Sequence, residues 1–86
     1  MGRVKLYNLP GCPYCAMVRE KLAALNLEYE QVDVPMIAEE RKEVIEVSGQ
    51  PFVPVLVDGS KVLSDENEII AYLEATYGKE RSARSR

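Results

Sequence analysis

Val4-Lys5-Leu6-Tyr7-Asn8-Leu9-Pro10-Gly11-Cys12-Pro13-Tyr14-Cys15 is the stretch on which the fold of this 86-residue chain turns. It holds the chain's two cysteines and spaces them one helical turn apart. Val4, Leu6 and Leu9 alternate imperfectly with Lys5, Tyr7 and Asn8, which reads as a short strand ending before Pro10. Pro13 suits the first position of a helix, where its missing N–H costs nothing. Val18, Leu22 and Leu25 then recur at i, i+4 and i+7, while Arg19, Glu20 and Lys21 take the outer face, so a helix is expected from about Pro13 to Leu25. Cys12 therefore falls at a helix N-terminus. Unpaired backbone N–H groups and the positive end of the helix dipole favour an anion there, and a thiolate is such an anion.

Working outward, Leu27, Tyr29, Val32 and Val34 suggest a second strand, and Pro35 opens a second helix with Ile37, Val44, Ile45 and Val47 available for one face. Gly49 ends it. The charged run Glu39-Glu40-Arg41-Lys42-Glu43 reads as that helix's solvated face. Val53 to Val57 and Lys61 to Leu63 flank Asp58-Gly59, a strong turn dipeptide, and predict a β-hairpin. Asp65 with Glu68 fits a capping box, and Ile69, Ile70, Leu73 and Tyr77 carry an apolar stripe to Gly78. The order is βαβαββα. Such an order specifies an α/β domain: a right-handed parallel βαβ unit extended by an antiparallel hairpin, giving a four-stranded mixed sheet with helices on both faces.

Composition narrows the function classes. Hydrophobic residues at 47% and charged residues at 29% match a soluble globular domain, which excludes disorder and fibrous architecture. A chain of this length forms one domain, here residues 1–78, followed by a basic tail over residues 79–86 expected to be disordered. The tail carries +3 of charge and leaves −6 on the body, so binding to nucleic acid is disfavoured. No apolar run is long enough to span a membrane or serve as a secretory signal. Two cysteines and no histidine exclude a disulfide framework and make a complete zinc site within one chain unexpected. Close cysteines without crosslinks point to redox work in a reducing compartment, hence a cytoplasmic location.

With these elements in place, the sequence resembles the glutaredoxins, within the thioredoxin fold, and the closely related N-terminal domain of glutathione transferases. The resemblance covers roughly residues 3–77. It rests on Leu6-Tyr7 before Cys12-Pro13-Tyr14-Cys15, Val53-Pro54 before a strand, the Asp58-Gly59 turn, and Asp65-Glu66 heading a helix with Ile69 and Tyr72-Leu73. It implies a thiol-disulfide oxidoreductase in which Cys12 attacks and Cys15 resolves. Pro13 stiffens the turn, and Tyr14 forms a partly exposed wall of the substrate groove. Val53-Pro54 matches the bond that is cis in this fold, with the Val53 backbone pairing with the thiol substrate. Asp65 and Glu66 stand where the superfamily holds the γ-glutamyl moiety of glutathione. The resemblance further implies glutathione or a related γ-glutamyl thiol as co-substrate, no permanently bound cofactor, disulfide-containing protein substrates and a monomer. Two other readings stay open: a stand-alone thiol-binding domain like that of the transferases, and an iron–sulfur cluster carrier.

Two positions depart from the glutaredoxin pattern. Leu9 stands where a lysine is usual, and Pro51 where an arginine is frequent; both cations would lie near the glycyl carboxylate of glutathione. A γ-glutamyl thiol without the glycine would feel their absence less, and Arg41 or Lys42 are the cations placed to compensate. Phe52, where a threonine is common, is expected to pack. Tyr7 is expected in the core, although in some transferases a tyrosine at the end of strand one activates the thiol.

Lowering the Cys12 pKa has its main effect in one half of exchange. A free cysteine near pKa 8.5 is about 3% thiolate at pH 7, so a fall to about 5.5 enriches the nucleophile roughly thirtyfold. Intrinsic nucleophilicity falls roughly twentyfold over the same range at a Brønsted slope of about 0.45, which nearly cancels that gain. The benefit lies in Cys12 as leaving group, when a second thiol resolves the mixed disulfide.

Overall fold

Leu6 and Tyr7 are neighbours on one strand and, because strand side chains alternate, each anchors a different core. The computed structural model describes residues 4–78, so the basic tail expected over residues 79–86 lies outside the described residues. Its elements are β1 (Val4–Asn8), α1 (Pro13–Ala24), β2 (Glu30–Asp33), α2 (Lys42–Ser48), β3 (Val55–Asp58), β4 (Lys61–Leu63) and α3 (Glu66–Leu73). A 3-10 turn at Ala38–Glu40 precedes α2, and a π-helical turn at Glu74–Gly78 prolongs α3. The strands form one sheet in the order β2-β1-β3-β4. β1 pairs parallel with β2 and antiparallel with β3, and β3 pairs antiparallel with β4, so the expected mixed sheet is the observed one.

On one face, Val4, Leu6 and Leu56 pack with Val18, Leu22 and Leu25 of the α1 segment and Ile69 and Leu73 of α3. On the other, Tyr7 and Val55 pack with Val34 and with Val44 of α2. Leu6, Val18, Leu22, Leu56, Ile69 and Leu73 are fully buried. Each such side chain removed from water is worth roughly 1.5–3 kcal/mol, which makes this two-helix face the larger source of stability.

The second helix departs from expectation. Pro35 does not open it: Ile37 is extended, at φ −83° and ψ 119°, and α2 starts only at Lys42. The carbonyls of Pro35 and Met36 would accept from backbone N–H groups if a helix began there. Instead they accept from the Arg41 side chain, Nε to Pro35 at 2.8 Å and Nη2 to Met36 at 2.9 Å. Ile37 and Ile45, expected on the buried face, are exposed. Gly49 ends α2 as anticipated, at φ +83°, where a Cβ would be strained. Asp58 also differs from its reading as a turn residue. It is the last residue of β3, opposite Lys61, and buried, accepting hydrogen bonds from the hydroxyls of Tyr72 (2.7 Å) and Tyr77 (2.6 Å). The carboxylate thereby ties the third helix to the sheet.

Candidate active site

Register places four segments at one end of the sheet. β1 runs toward Asn8 and delivers the chain into the Cys12 loop, where Cys12 N–H donates to the Leu9 carbonyl at 3.1 Å. β3 is antiparallel to it with Val55 opposite Tyr7, so Val53-Pro54 lie alongside Asn8 and Leu9. β2 is parallel with Asp33 opposite Asn8, so Pro35 to Ile37 emerge on the other flank. β4 returns toward the same end, Leu63 opposite Leu56, and hands the chain to Asp65-Glu66. The residues the sequence singled out are therefore brought to one end of the fold.

Cys12 is the N-cap of α1, extended at φ −84° and ψ 121°, with Pro13 at the first helical position. Its carbonyl accepts from Ala16 N–H at 3.0 Å, which opens the helix. Cys12 is partly exposed and Cys15 is fully buried; both are free cysteines. Burial raises the Cys12 pKa, but hydrogen bonds from the Cys15 backbone N–H, the Cys15 thiol and the Tyr14 N–H, with the positive charge of Arg19, outweigh it and pull the thiol below its ordinary value. Burial pushes Cys15 up to about 11, reinforced by its hydrogen bond to Cys12 and the charge there, while the Leu9 N–H, 3.5 Å from Cys15 Sγ, opposes the rise. The two thiols are thus driven apart, one toward thiolate and one toward thiol.

Tyr14 is 53% exposed beside the pair, and Val53-Pro54 is a cis peptide, with Pro54 buried and Val53 half-buried. The loop before it is held tightly. Phe52 N–H donates to Gln50 Oε1 at 2.7 Å, and Gln50 Nε2 donates back to the Phe52 carbonyl at 3.2 Å. The Phe52 ring is 67% exposed, so the expectation that it packs is corrected.

Asp65 caps α3, its Oδ2 accepting from Asn67 N–H and Glu68 N–H, both at 3.1 Å. Those two donors are occupied by the chain's own carboxylate. Asp65 is exposed and Glu66 half-buried, so the helix start carries acidic groups. Arg41 is not placed as a ligand cation: it is 8% exposed, and its guanidinium is spent on the carbonyls of Pro35, Met36 and Pro51. Lys42 remains exposed. Tyr7 lies in the core as expected, its hydroxyl donating to Glu43 Oε2 at 2.7 Å; burial and that bond raise its pKa to about 12.

Sequence reasoning missed Asn8 and Arg19. Asn8 is 2% exposed, donates to Asp33 Oδ1 at 2.9 Å and accepts from Arg19 at 2.5 Å. The available signal was spacing: Cys12, Cys15 and Arg19 fall on one helical stripe, although the apolar pattern assigned Arg19 to the outer face. Among the described residues no cluster of three or more metal-ligating side chains occurs, and no helix is long and apolar enough to cross a membrane.

Comparison with known proteins agrees with this geometry. The family model of the glutathione S-transferase N-terminal domain matches residues 6–81. A glutaredoxin-like protein encoded in the rubredoxin operon of Clostridium pasteurianum is 34% identical over 70% of this chain and 81% of its own length. Glutaredoxin 3 of Escherichia coli is 27% identical over 72% of this chain and 76% of its own length. The zeta-class glutathione S-transferase of Euphorbia esula is 35% identical over 87% of this chain but only 34% of its own length. A glutathione transferase homologue from Drosophila mojavensis, solved with bound glutathione, superimposes with a TM-score of 0.82 at 34% identity, over 92% of this chain and 37% of that one. The chain thus spans about a third of the length of these transferases and most of the length of the glutaredoxin-like proteins. It belongs to the glutathione S-transferase N-terminal domain family, within the thioredoxin-fold group that includes the glutaredoxins.

Proposed function

We propose that the protein is a glutaredoxin-type thiol-disulfide oxidoreductase. The observation that carries this reading is the asymmetry of the pair: Cys12 is partly exposed with its thiol pushed down, while Cys15, one turn deeper, is buried with its thiol pushed up to about 11. In the first step the Cys12 thiolate attacks one sulfur of a substrate disulfide; a Cys12–substrate S–S bond forms, the substrate S–S bond breaks, and the other half leaves as a thiolate. In the second, Cys15 gives up its proton and attacks Cys12 Sγ, forming the Cys12–Cys15 disulfide and releasing the second substrate thiol. Two molecules of a low-molecular-weight thiol then reduce that disulfide and are themselves oxidised to a disulfide.

Pro13 and Tyr14 shape the approach to Cys12, the Val53 backbone before Pro54 pairs with the substrate chain, and Asp65 with Glu66 receives the ammonium of a γ-glutamyl group. Leu9 and Pro51 offer no cation and Arg41 is committed to the loops, so glutathione or a γ-glutamyl thiol lacking the glycine both fit as reductant. Disulfide-bearing proteins are the second class of substrate. The site functions as a monomer in a reducing cytoplasm. A transferase role through Tyr7 is disfavoured, because its hydroxyl is engaged by Glu43.

The test is reduction of a small mixed disulfide with glutathione or γ-glutamylcysteine as reductant. Turnover that vanishes in Cys12→Ser supports the reading. Conjugation of an electrophile without disulfide turnover would replace it with the transferase reading.

A further inference from the structure

Arg19 lies one turn beyond Cys15 and two beyond Cys12 on the same stripe of α1, and it is half-buried rather than free in solvent. Its guanidinium donates to Asn8 Oδ1 at 2.5 Å. Asn8 is the last residue of β1 and almost fully buried, and its Nδ2 donates in turn to Asp33 Oδ1 at 2.9 Å on β2. The next residue, Leu9, directs its N–H at Cys15 Sγ. One dipeptide at the end of β1 therefore touches both the buried thiol and the cation.

The sequence of groups is cation, amide, anion. An amide accepts through oxygen and donates through nitrogen, so Asn8 bonds to Arg19 and Asp33 while keeping them apart. In direct contact Asp33 would neutralise the guanidinium. Asp33 is fully ionised at neutral pH, its carboxyl held low by hydrogen bonds from Gln31 and Asn8 and by the Arg19 charge. Among the described residues, the charged and titratable groups at this end include Cys12 at the N-cap of α1, Tyr14, Cys15 and Arg19 on α1, Asp33 on β2, Arg41 before α2 with its guanidinium held by the carbonyls of Pro35, Met36 and Pro51, and Asp65 with Glu66 at the start of α3; β1 and β3 bring Asn8, Leu9, Val53 and Pro54, which are uncharged. Arg19 is thus the cation on the thiol stripe, and its charge favours the ionised form of both cysteines.

We propose that Asn8 is a positioning residue that holds the Arg19 guanidinium on the Cys12–Cys15 face of α1, where it stabilises the Cys12 thiolate both as attacking and as leaving group. The proposal rests on the disulfide-exchange reading and adds to it a source of positive charge in a chain that has Leu9 where glutaredoxins usually carry a lysine. Asn8 is needed because a free arginine at a half-exposed position would pair with Asp33 or turn to solvent. The charge then lies on the helix flank rather than in the loop before Cys12.

The experiment follows the pH dependence of Cys12 alkylation by iodoacetamide, the modified thiol identified by mass. Arg19→Gln is expected to raise the Cys12 pKa by about half a unit or more, and Arg19→Lys to restore most of it. Asn8→Ala is expected to raise it by a comparable amount, with no further rise in the Asn8→Ala, Arg19→Gln double variant. Additive shifts would show that Asn8 acts on the thiols without Arg19 and overturn its positioning role. If Asn8→Ala fails to fold, the Arg19 variants decide alone: a Cys12 pKa that stays low in Arg19→Gln overturns the proposal and leaves the exchange reading standing. A wild-type Cys12 pKa at the free-thiol value of about 8.5 overturns the exchange reading itself.

Discussion

The Arg41 Nη1 atom donates to the Pro51 carbonyl at 3.1 Å, while the same guanidinium holds the carbonyls of Pro35 and Met36. One buried side chain therefore joins the loop after β2 to the loop that presents Val53-Pro54, across the mouth of the candidate site. Methionine at this position would leave three carbonyls to find water and release both loops. Arg41→Met is expected to lower stability by about 2 kcal/mol in urea unfolding and to raise the KM for a mixed disulfide more than it lowers kcat. Arg41→Lys should recover little, because an ammonium lacks the planar fork that reaches three acceptors.

The Cys12 thiol is pushed below its ordinary value in part by the thiol and the backbone N–H of Cys15. Alkylation of Cys12 should therefore reach its plateau at a lower pH than a free thiol, whose midpoint is about 8.5. Cys15→Ala removes the donor thiol and keeps the backbone donor, so the profile should move upward without reaching the free-thiol position.

Tyr7 and Cys15 are expected to make stability fall at alkaline pH. Both titrate higher in the folded protein than when unfolded, Tyr7 at about 12 and Cys15 at about 11. The native state therefore binds more protons than the unfolded chain in that range, and stability falls as pH rises. The contribution of Tyr7 is complete below about pH 10, the ordinary value, and is lost toward pH 12. Tyr7→Phe, which deletes the hydroxyl bonded to Glu43, is expected to cost about 1 kcal/mol at pH 7 and to flatten the fall above pH 10, read from thermal unfolding against pH.

The Asp65 carboxylate caps α3, and in the proposed function the same carboxylate receives the γ-glutamyl ammonium. Asp65→Asn keeps a good N-cap and removes the charge, so stability should change by only a few tenths of a kcal/mol while the KM for the γ-glutamyl thiol rises. Asp65→Ala removes both and should cost about 1 kcal/mol of stability as well.

Local chemistry made most of the architecture legible in the sequence. Pro13 after Cys12, the i, i+4, i+7 series Val18, Leu22 and Leu25, the cap at Asp65 and Gly49 past the end of α2 each dictate an element through nearest neighbours along the chain. The asymmetry of the cysteine pair was legible for the same reason, since a helix start and a position one turn inside it differ whatever packs around them.

What only the tertiary structure decided are the contacts that cross from one element to another. Whether Pro35 opens a helix depended on a side chain six residues away claiming its carbonyl. Asp58 had the chemistry of a turn, yet the hydroxyls of Tyr72 and Tyr77 made it a buried acceptor at the end of a strand. Asn8, Arg19 and Asp33 come from three elements and carry no local pattern that links them. The sequence by itself determined which thiol is pulled below its ordinary value, because helix-terminal donors are local; the fold decided which amide holds the Arg19 guanidinium, which carboxylate holds that amide and which loops surround the site, because those partners meet only after the sheet has aligned them.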